Sequence, residues 1–201
     1  MIAWAFLLAL AAGEGRPLFY WGARPAVITV PETAAAAGEA ARVVEVHAAS
    51  DDHGQVLRLT FDRPVRDALR LPDGTPVSGR LRAVLYGDVD GQRDTGWQAG
   101  AADLRRGADW RLEVAALAVG ADPEEKLEAQ ALVNVSLAAL TRDGRRRSLW
   151  QADQASAPEL ISVVGEWLEI RLPASAGAPA RGARLILATD EATLDGRWTA
   201  P

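Results

Sequence analysis

The stretch Tyr86–Val114 reads YGDVDGQRDTGWQAGAADLRRGADWRLEV and sets an acidic, glycine-bearing loop between two strand-like runs. Apolar and charged residues alternate over Trp110–Val114, and the run Leu81–Leu85 before the loop follows a similar pattern. Alternation with a period of two places one set of side chains on each face of a β-strand. The stretch therefore predicts two strands, each with one apolar face, joined by an acidic loop.

The same alternation recurs along most of the chain. Further runs occur at Leu57–Phe61, Val133–Leu137, Leu168–Leu172 and Arg184–Thr189. Glycine-containing turns separate the runs, because glycine tolerates a positive φ, and Asp143-Gly144 and Gly165 have the sequence of hairpin turns. Many strands joined by hairpins, without regular strand–helix alternation, indicate an all-β fold. We predict an antiparallel two-sheet β-sandwich, jelly-roll or immunoglobulin-like, with at most short helices.

Helix signals are few and short. Asp122–Glu125 combines an acceptor cap, a proline and acidic residues, which predicts one or two helical turns. Thr33–Arg42 is either a short helix or an alanine-rich linker. The expected organisation is a signal peptide over residues 1–12, an arm or linker over 13–42, the sandwich over 43–190 and a tail over 191–201.

The N-terminal run Met1–Ala12 is apolar throughout and too short to span a bilayer. Its length is typical of a signal-peptide core, and Ala9-Leu10-Ala11 offers a small-x-small cleavage site. No lysine or arginine precedes the run, so a buried strand or helix is the alternative. The run favours export, to the periplasm or the outside of the cell.

Composition excludes several function classes. The 201 residues carry a formal net charge of −5, which gives no general attraction for nucleic acid. The absence of cysteine rules out disulfides and thiolate chemistry. The sequence has no serine-nucleophile or phosphate-loop motif, which argues against an enzyme. A hydrolase with cleft residues scattered through the chain is a weaker alternative.

The acidic loop is the candidate metal site. Asp88, Asp90 and Asp94 lie close together, and Asp109 comes at the end of the same loop. Crowded carboxylates repel one another unless a cation neutralises them, and calcium prefers such oxygen ligands in a flexible geometry. The site is not an EF-hand. The alternative is a solvated hairpin tip whose aspartates cap turns or pair with Arg93, Arg105 and Arg106.

Tryptophan dominates the aromatic residues, with seven against two tyrosines and three phenylalanines. Trp97 directly follows the Thr95-Gly96 turn in the acidic loop. An exposed indole at that place would stack on a sugar, which makes Trp97 the candidate ligand-binding residue. Packing of the ring into the core is the competing interpretation.

Three segments carry a family resemblance. Leu57–Val65 ends in an F-x-x-P-V turn, Tyr86–Val114 contains D-x-D, T-G and G-A-D-W, and Leu160–Pro173 reads LISVVGEWLEIRLP. Together they resemble secreted bacterial β-sandwich domains of the carbohydrate-binding family 9-like and DOMON-like group. The resemblance implies a noncatalytic sandwich that binds sugars or a cofactor, often with structural calcium. Met1 is the only methionine, so the methionine–histidine haem ligation of some members is absent.

These observations predict an exported, noncatalytic binding module, stabilised by calcium and binding carbohydrate. The expected partner is a polysaccharide or a protein of the cell envelope, with no nucleic acid and no stable membrane span. The alternative function is that of a structural subunit of a surface or envelope complex. Such a subunit would use a sheet edge or the apolar arm Arg16–Pro31 for its contacts.

Overall fold

The computed structural model describes residues 15–31, 40–120, 130–177, 183–189 and 193–198. These residues form eleven β-strands and two helical turns. The strands are β1 (Ile28–Thr29), β2 (Val43–Asp51), β3 (Gly54–Phe61), β4 (Arg82–Asp88), β5 (Trp110–Val119), β6 (Gln130–Leu140), β7 (Arg146–Asp153), β8 (Ile161–Val164), β9 (Trp167–Leu172), β10 (Arg184–Ala188) and β11 (Thr193–Arg197).

The strands form two antiparallel sheets. One sheet has the order β1-β2-β3-β9-β8, and the other has the order β11-β10-β4-β5-β6-β7. The predicted hairpins around Asp143-Gly144 and Gly165 join β6 to β7 and β8 to β9. The prediction of an all-β, two-sheet sandwich is confirmed.

The core lies between the two sheets and contains the apolar side chains of the period-two runs. Every apolar residue that alternation assigned to an inner face is buried in this core. These residues are Leu57, Leu59, Phe61, Leu81, Ala83, Leu85, Trp110, Leu112, Val114, Val133, Val135, Leu137, Leu168, Ile170, Leu172, Leu185 and Leu187. Since apolar burial is the main favourable term in folding, this interface between the sheets accounts for the architecture.

The outer faces of both sheets are also partly covered. Residues 15–31 lie over the five-stranded sheet, where Trp21 is buried with Ala49 and Val56. The loop between β4 and β5 lies over the six-stranded sheet, where Tyr86 and Ile186 are buried. Alternation alone assigns these outward positions to solvent, so the two covering segments are new information from the structure.

The sandwich extends beyond the limits expected from the sequence. β1 lies in the expected arm and pairs with β2, and β11 lies in the expected tail and pairs with β10. The two helical turns are α1 (Val65–Ala68) and a 3₁₀ helix, Ala174–Ala176.

The expected signal peptide at residues 1–12 and the helix signal at 122–125 lie outside the described residues, as does most of the segment 33–42. The described helices are all too short, and too poor in apolar residues, to cross a membrane.

Glu169 fastens the N-terminal segment to its sheet. This β9 side chain points to the outer face and is fully buried. Its Oε1 accepts hydrogen bonds from Arg58, at 2.7 Å, and from the indole of Trp21, at 2.8 Å. Its Oε2 accepts one from the Leu18 amide, at 2.5 Å. Both carboxylate oxygens are therefore satisfied, and the Arg58 guanidinium also lies over the rings of Trp21 and Trp167.

We expect Glu169→Gln to lower the free energy of unfolding by about 3 kcal/mol, because it leaves the Arg58 charge without its buried partner. Urea denaturation followed by tryptophan fluorescence measures this loss. Limited chymotrypsin digestion at the exposed Tyr20 should become faster, since Glu169 holds Leu18 and Trp21 in place. Glu166→Gln, on the exposed β8–β9 turn, is the matched control, and an equal loss in that variant would contradict the assigned role.

Candidate metal centre

The register between β4 and β5 brings three aspartates together. Gly87 pairs with Trp110 in the ladder, and the Asp109 amide donates to the Gly87 carbonyl at 2.7 Å. Asp88 and Asp109 therefore meet where the loop leaves and re-enters the sheet. Asp90 lies two residues further on, and one carboxylate oxygen from each of the three lies within 4.8 Å of the others.

The chain packs closely at this point and fixes the loop ends. A Cβ atom at Gly87 would come within 2.1 Å of the Trp110 indole, and one at Gly107 within 3.1 Å of Asp88 Oδ2. Gly107 also has a φ of +90°, which a larger residue rarely adopts. Only glycine allows the loop to pass this close to the carboxylates.

Two of the aspartates are held by hydrogen bonds from the loop backbone. Asp109 Oδ2 accepts from the Val89 amide at 2.8 Å. Asp90 Oδ1 accepts from the Gln92 amide at 2.8 Å and from the Thr95 hydroxyl at 3.0 Å. These bonds orient the carboxylates before any ligand arrives, which lowers the entropy cost of forming a site.

Asp88 is only half satisfied. It is fully buried, and its Oδ2 accepts from Arg184 Nη2 at 2.6 Å and from Nε at 2.9 Å. Arg184 lies directly opposite Asp88 in the ladder between β10 and β4 and also donates to the Arg106 carbonyl. Asp88 Oδ1 is buried and has no partner in hydrogen-bond geometry among the described residues, although the Gly91 amide and the Asp90 carboxyl are near enough to influence the pKa of Asp88. A buried carboxylate oxygen without a donor is costly, so Asp88 Oδ1 is the least stabilised oxygen of the cluster.

The electrostatics of the cluster agree with its geometry. Burial raises the pKa of Asp88, although the Arg184 guanidinium opposes the shift. Burial also raises the pKa of Asp109, and the charges of Asp90 and Asp88 raise it further. The deprotonated cluster thus contains repulsion that a bound cation would relieve.

The donor set fits a hard divalent cation. Calcium binds oxygen ligands at about 2.3–2.6 Å, so two ligands on one ion are separated by at most about 5 Å. The three oxygens, all within 4.8 Å of one another, are close enough to share one such ion. No histidine belongs to the cluster, and the chain has no cysteine, so the site does not resemble a zinc centre. The all-oxygen donor set therefore suits a hard cation, of which calcium is one.

Asp94, the fourth expected ligand, lies outside the cluster. Its side chain is 93% exposed and pairs with Arg106 at 3.1 Å. The reason is local, because the Thr95 amide donates to the Gln92 carbonyl and turns the chain away from the cluster at this point. Of the alternative that the sequence left open, arginine pairing applies to Asp94, and turn capping applies to Asp90, which accepts from the Gln92 amide two residues further on. Arginine pairing does not apply to Asp90 or Asp109 among the described residues.

Trp97 packs on its own protein. The indole is half-buried and stacks on Tyr86, with a centroid separation of 6.0 Å and an interplanar angle of 29°. The Arg105 guanidinium lies 5.0 Å from the ring, and a Cβ atom at Gly144 would come within 2.5 Å of the indole nitrogen. The Trp97 ring therefore packs the loop against the outer face of the six-stranded sheet. This geometry favours core packing over sugar stacking.

Sequence reasoning missed Arg184, the basic partner of Asp88. The two residues are separated by 96 positions, and only their pairing across β4 and β10 brings them together. The sequence gives little indication of this pair, since Arg184 is only the first polar residue of the alternating run Arg184–Thr189.

Comparisons of the chain with protein-family models, curated proteins and solved structures found no match. The resemblance to the carbohydrate-binding family 9-like and DOMON-like group therefore stays a prediction. The candidate site rests on the geometry of the three aspartates and Arg184.

In the presence of a chelator, we expect Asp109→Asn to raise the free energy of unfolding by about 1 kcal/mol at neutral pH. The amide oxygen still accepts from Val89, while one of three mutually repelling charges disappears. Chemical denaturation at pH 7 measures the change. Asp94→Asn is the matched control and should leave stability unchanged, because Asp94 is exposed and outside the cluster. A destabilised Asp109→Asn would show that the cluster is not under electrostatic strain.

Proposed function

We propose that the protein is a noncatalytic β-sandwich module in which Asp88, Asp90 and Asp109 bind a calcium ion. The buried, unpartnered Oδ1 of Asp88 carries this proposal. Glu169 provides the internal comparison, because it is equally buried and has donors on both oxygens. A carboxylate that folding leaves half satisfied, beside two others, is best explained by a ligand that completes it.

The ion would fasten the loop between β4 and β5 to the sheet. Its ligands come from the last residue of β4, from the start of the loop and from the residue before β5. Trp97, Leu104 and Ala108 from the same loop cover Tyr86 and the outer face. Calcium would thus stabilise a cover that the sandwich core does not itself require.

The proposal includes export and a saccharide ligand. Compartments outside the cytoplasm supply calcium at the concentrations that extracellular modules with dissociation constants of about 10⁻⁴–10⁻³ M need. The apolar run at residues 1–12 supports export, and the family resemblance supports carbohydrate binding. Trp97 does not contribute to that ligand site, since its ring is engaged by Tyr86.

Calcium should raise the melting temperature of the wild type by about 5–10 °C at a hundredfold excess over the dissociation constant. The reason is that calcium binds the folded loop and has no site in the unfolded chain. Calorimetric melting and isothermal titration in calcium, magnesium and chelator measure the effect. Asp90→Asn and Asp109→Asn should remove most of the shift, and Asp94→Asn should retain it. Absence of heat and of any shift at about 10 mM calcium would refute the site.

An assembly role is the second candidate, supported by the exposure of Tyr20. This side chain is 90% exposed on a segment whose neighbours Phe19 and Trp21 pack on the sheet. In the structure the arm packs on its own chain, since β1 pairs with β2 and the Gly15 amide donates to the Val163 carbonyl. An assembly contact would therefore use the outer surface of the arm, where Tyr20 lies.

If the arm joins copies of the chain, the mass measured by light scattering should increase with protein concentration. Tyr20→Ser should then shift the molecules back to monomers, because it removes the exposed aromatic contact. Arg24→Gln, on the same exposed segment, is the control for a general change of the arm surface. A constant monomer mass at high concentration would contradict self-assembly.

A further inference from the structure

A cleft of about 370 Å³ opens beside the aspartate cluster. It lies between the start of the β4–β5 loop and the ladder of β10 and β11. Its lining consists of Gly91, Arg93, Arg184, Asp195, Gly196 and Arg197. Half of these residues are arginines and two are glycines, so the cleft is strongly polar and has little side-chain bulk to fill it.

Arg184 connects the cleft to the metal centre. Its Nε and Nη2 atoms donate to Asp88, while Nη1 makes no hydrogen bond with a described residue. Asp195 lies 3.7 Å from Nη1, which is beyond hydrogen-bond distance. The side chain is 10% exposed and therefore well fixed. Within the described part of the chain, Nη1 therefore has a long ion pair with Asp195 and no hydrogen bond, so it can still donate to a ligand in the cleft.

Arg197 adds a second positive charge next to the first. It lies directly opposite Arg184 in the ladder of β10 and β11, so the two side chains share one face of the sheet. Like charges in directly opposed positions destabilise a sheet. Arg197 is exposed and forms no ion pair with a described residue, whereas Arg93 reaches the Asp103 carbonyl from the loop. An anion bound between these arginines would relieve their repulsion.

The cation and the cleft are electrostatically linked. Three arginines face four carboxylates, namely Asp195 and the three of the cluster, which leaves one formal negative charge. A divalent ion changes this to one formal positive charge. The attraction of the cleft for an anion should therefore appear when the ion binds, and the coupling must act in both directions.

We propose that the cleft binds a carboxylate or sulfate group of an acidic saccharide, and that it does so when the aspartate cluster holds calcium. This inference rests on the proposed function. Guanidinium groups recognise such oxyanions through paired hydrogen bonds, and a small, polar, glycine-lined cleft offers no surface for an apolar ligand. The charge of the saccharide, with no aromatic stacking on Trp97, would provide the recognition.

Isothermal titration of the full chain with trigalacturonate tests the proposal, with neutral galactotriose as the uncharged comparison. The acidic trimer should bind in calcium and lose at least about tenfold in affinity in chelator. Arg197→Gln and Arg93→Gln should each weaken binding in calcium about tenfold, since each removes a charge-assisted hydrogen bond. Arg145→Gln, on an exposed pair with Asp143 at the β6–β7 turn, is the control and should bind as the wild type does.

The same preparations are melted with and without calcium, which separates the two proposals. No binding of the acidic trimer, in protein that calcium stabilises, overturns the cleft and leaves the metal centre intact. Wild-type affinity in both arginine variants, or equal binding of the neutral trimer, also overturns it. Undiminished binding in chelator overturns the calcium dependence. Inorganic sulfate that binds as tightly as the trimer assigns the cleft to free oxyanions and excludes saccharide recognition.

Discussion

A carboxylate sealed from water must find compensating charge or hydrogen bonds, and this constraint organises both outer faces of the sandwich. Each sheet carries one such group beneath a covering segment: Glu169 lies under the N-terminal segment and Asp88 lies under the β4–β5 loop. Glu169 has donors on both oxygens, so the first cover is complete within the chain. Within the described part of the chain, Asp88 has Arg184 on one oxygen and no hydrogen-bond donor in good geometry on the other. This unsatisfied oxygen distinguishes Asp88, a candidate ligand for a metal ion, from Glu169, which has a structural role.

The inner half of the fold follows from the sequence almost directly. Alternation is set by the geometry of a strand, so apolar residues such as Leu57, Leu112 and Leu168 have to share a buried face once two sheets meet. Burial on the outer faces cannot be predicted in this way, because the segments that cover these faces have no alternating hydrophobic pattern. Tyr86 and Glu169 lie at outward positions of regular strands and are nevertheless buried. Only the path of a distant segment decides whether such a position meets solvent.

The site shows the same division. Asp88 and Asp109 flank the loop between two adjacent strands, so antiparallel pairing brings them together, and spacing along the chain was a sound guide. Asp94 lies within the loop, where spacing says nothing about direction, and one turn sends it to solvent and Arg106. Trp97 lies in the same loop, and the fold places its half-buried ring against Tyr86, a contact that spacing along the chain does not indicate. The ion pair of Arg184 with Asp88 could not be predicted from the sequence, because the two residues are 96 positions apart and meet only through strand pairing.

The two covers should also differ in what controls them. The N-terminal segment is held by hydrogen bonds from Leu18 and Trp21 to Glu169, whose charge is balanced by Arg58 without a metal ion. The β4–β5 loop is held in part by carboxylates that repel one another until an ion arrives, and the same loop supplies Gly91 and Arg93 to the arginine cleft. Most of the core between the sheets comes from strands outside the two covers. An ion bound to the aspartates would therefore order the β4–β5 loop and change the charge of the cleft. The two sheets would keep their structure, so the effect of the ion would be local.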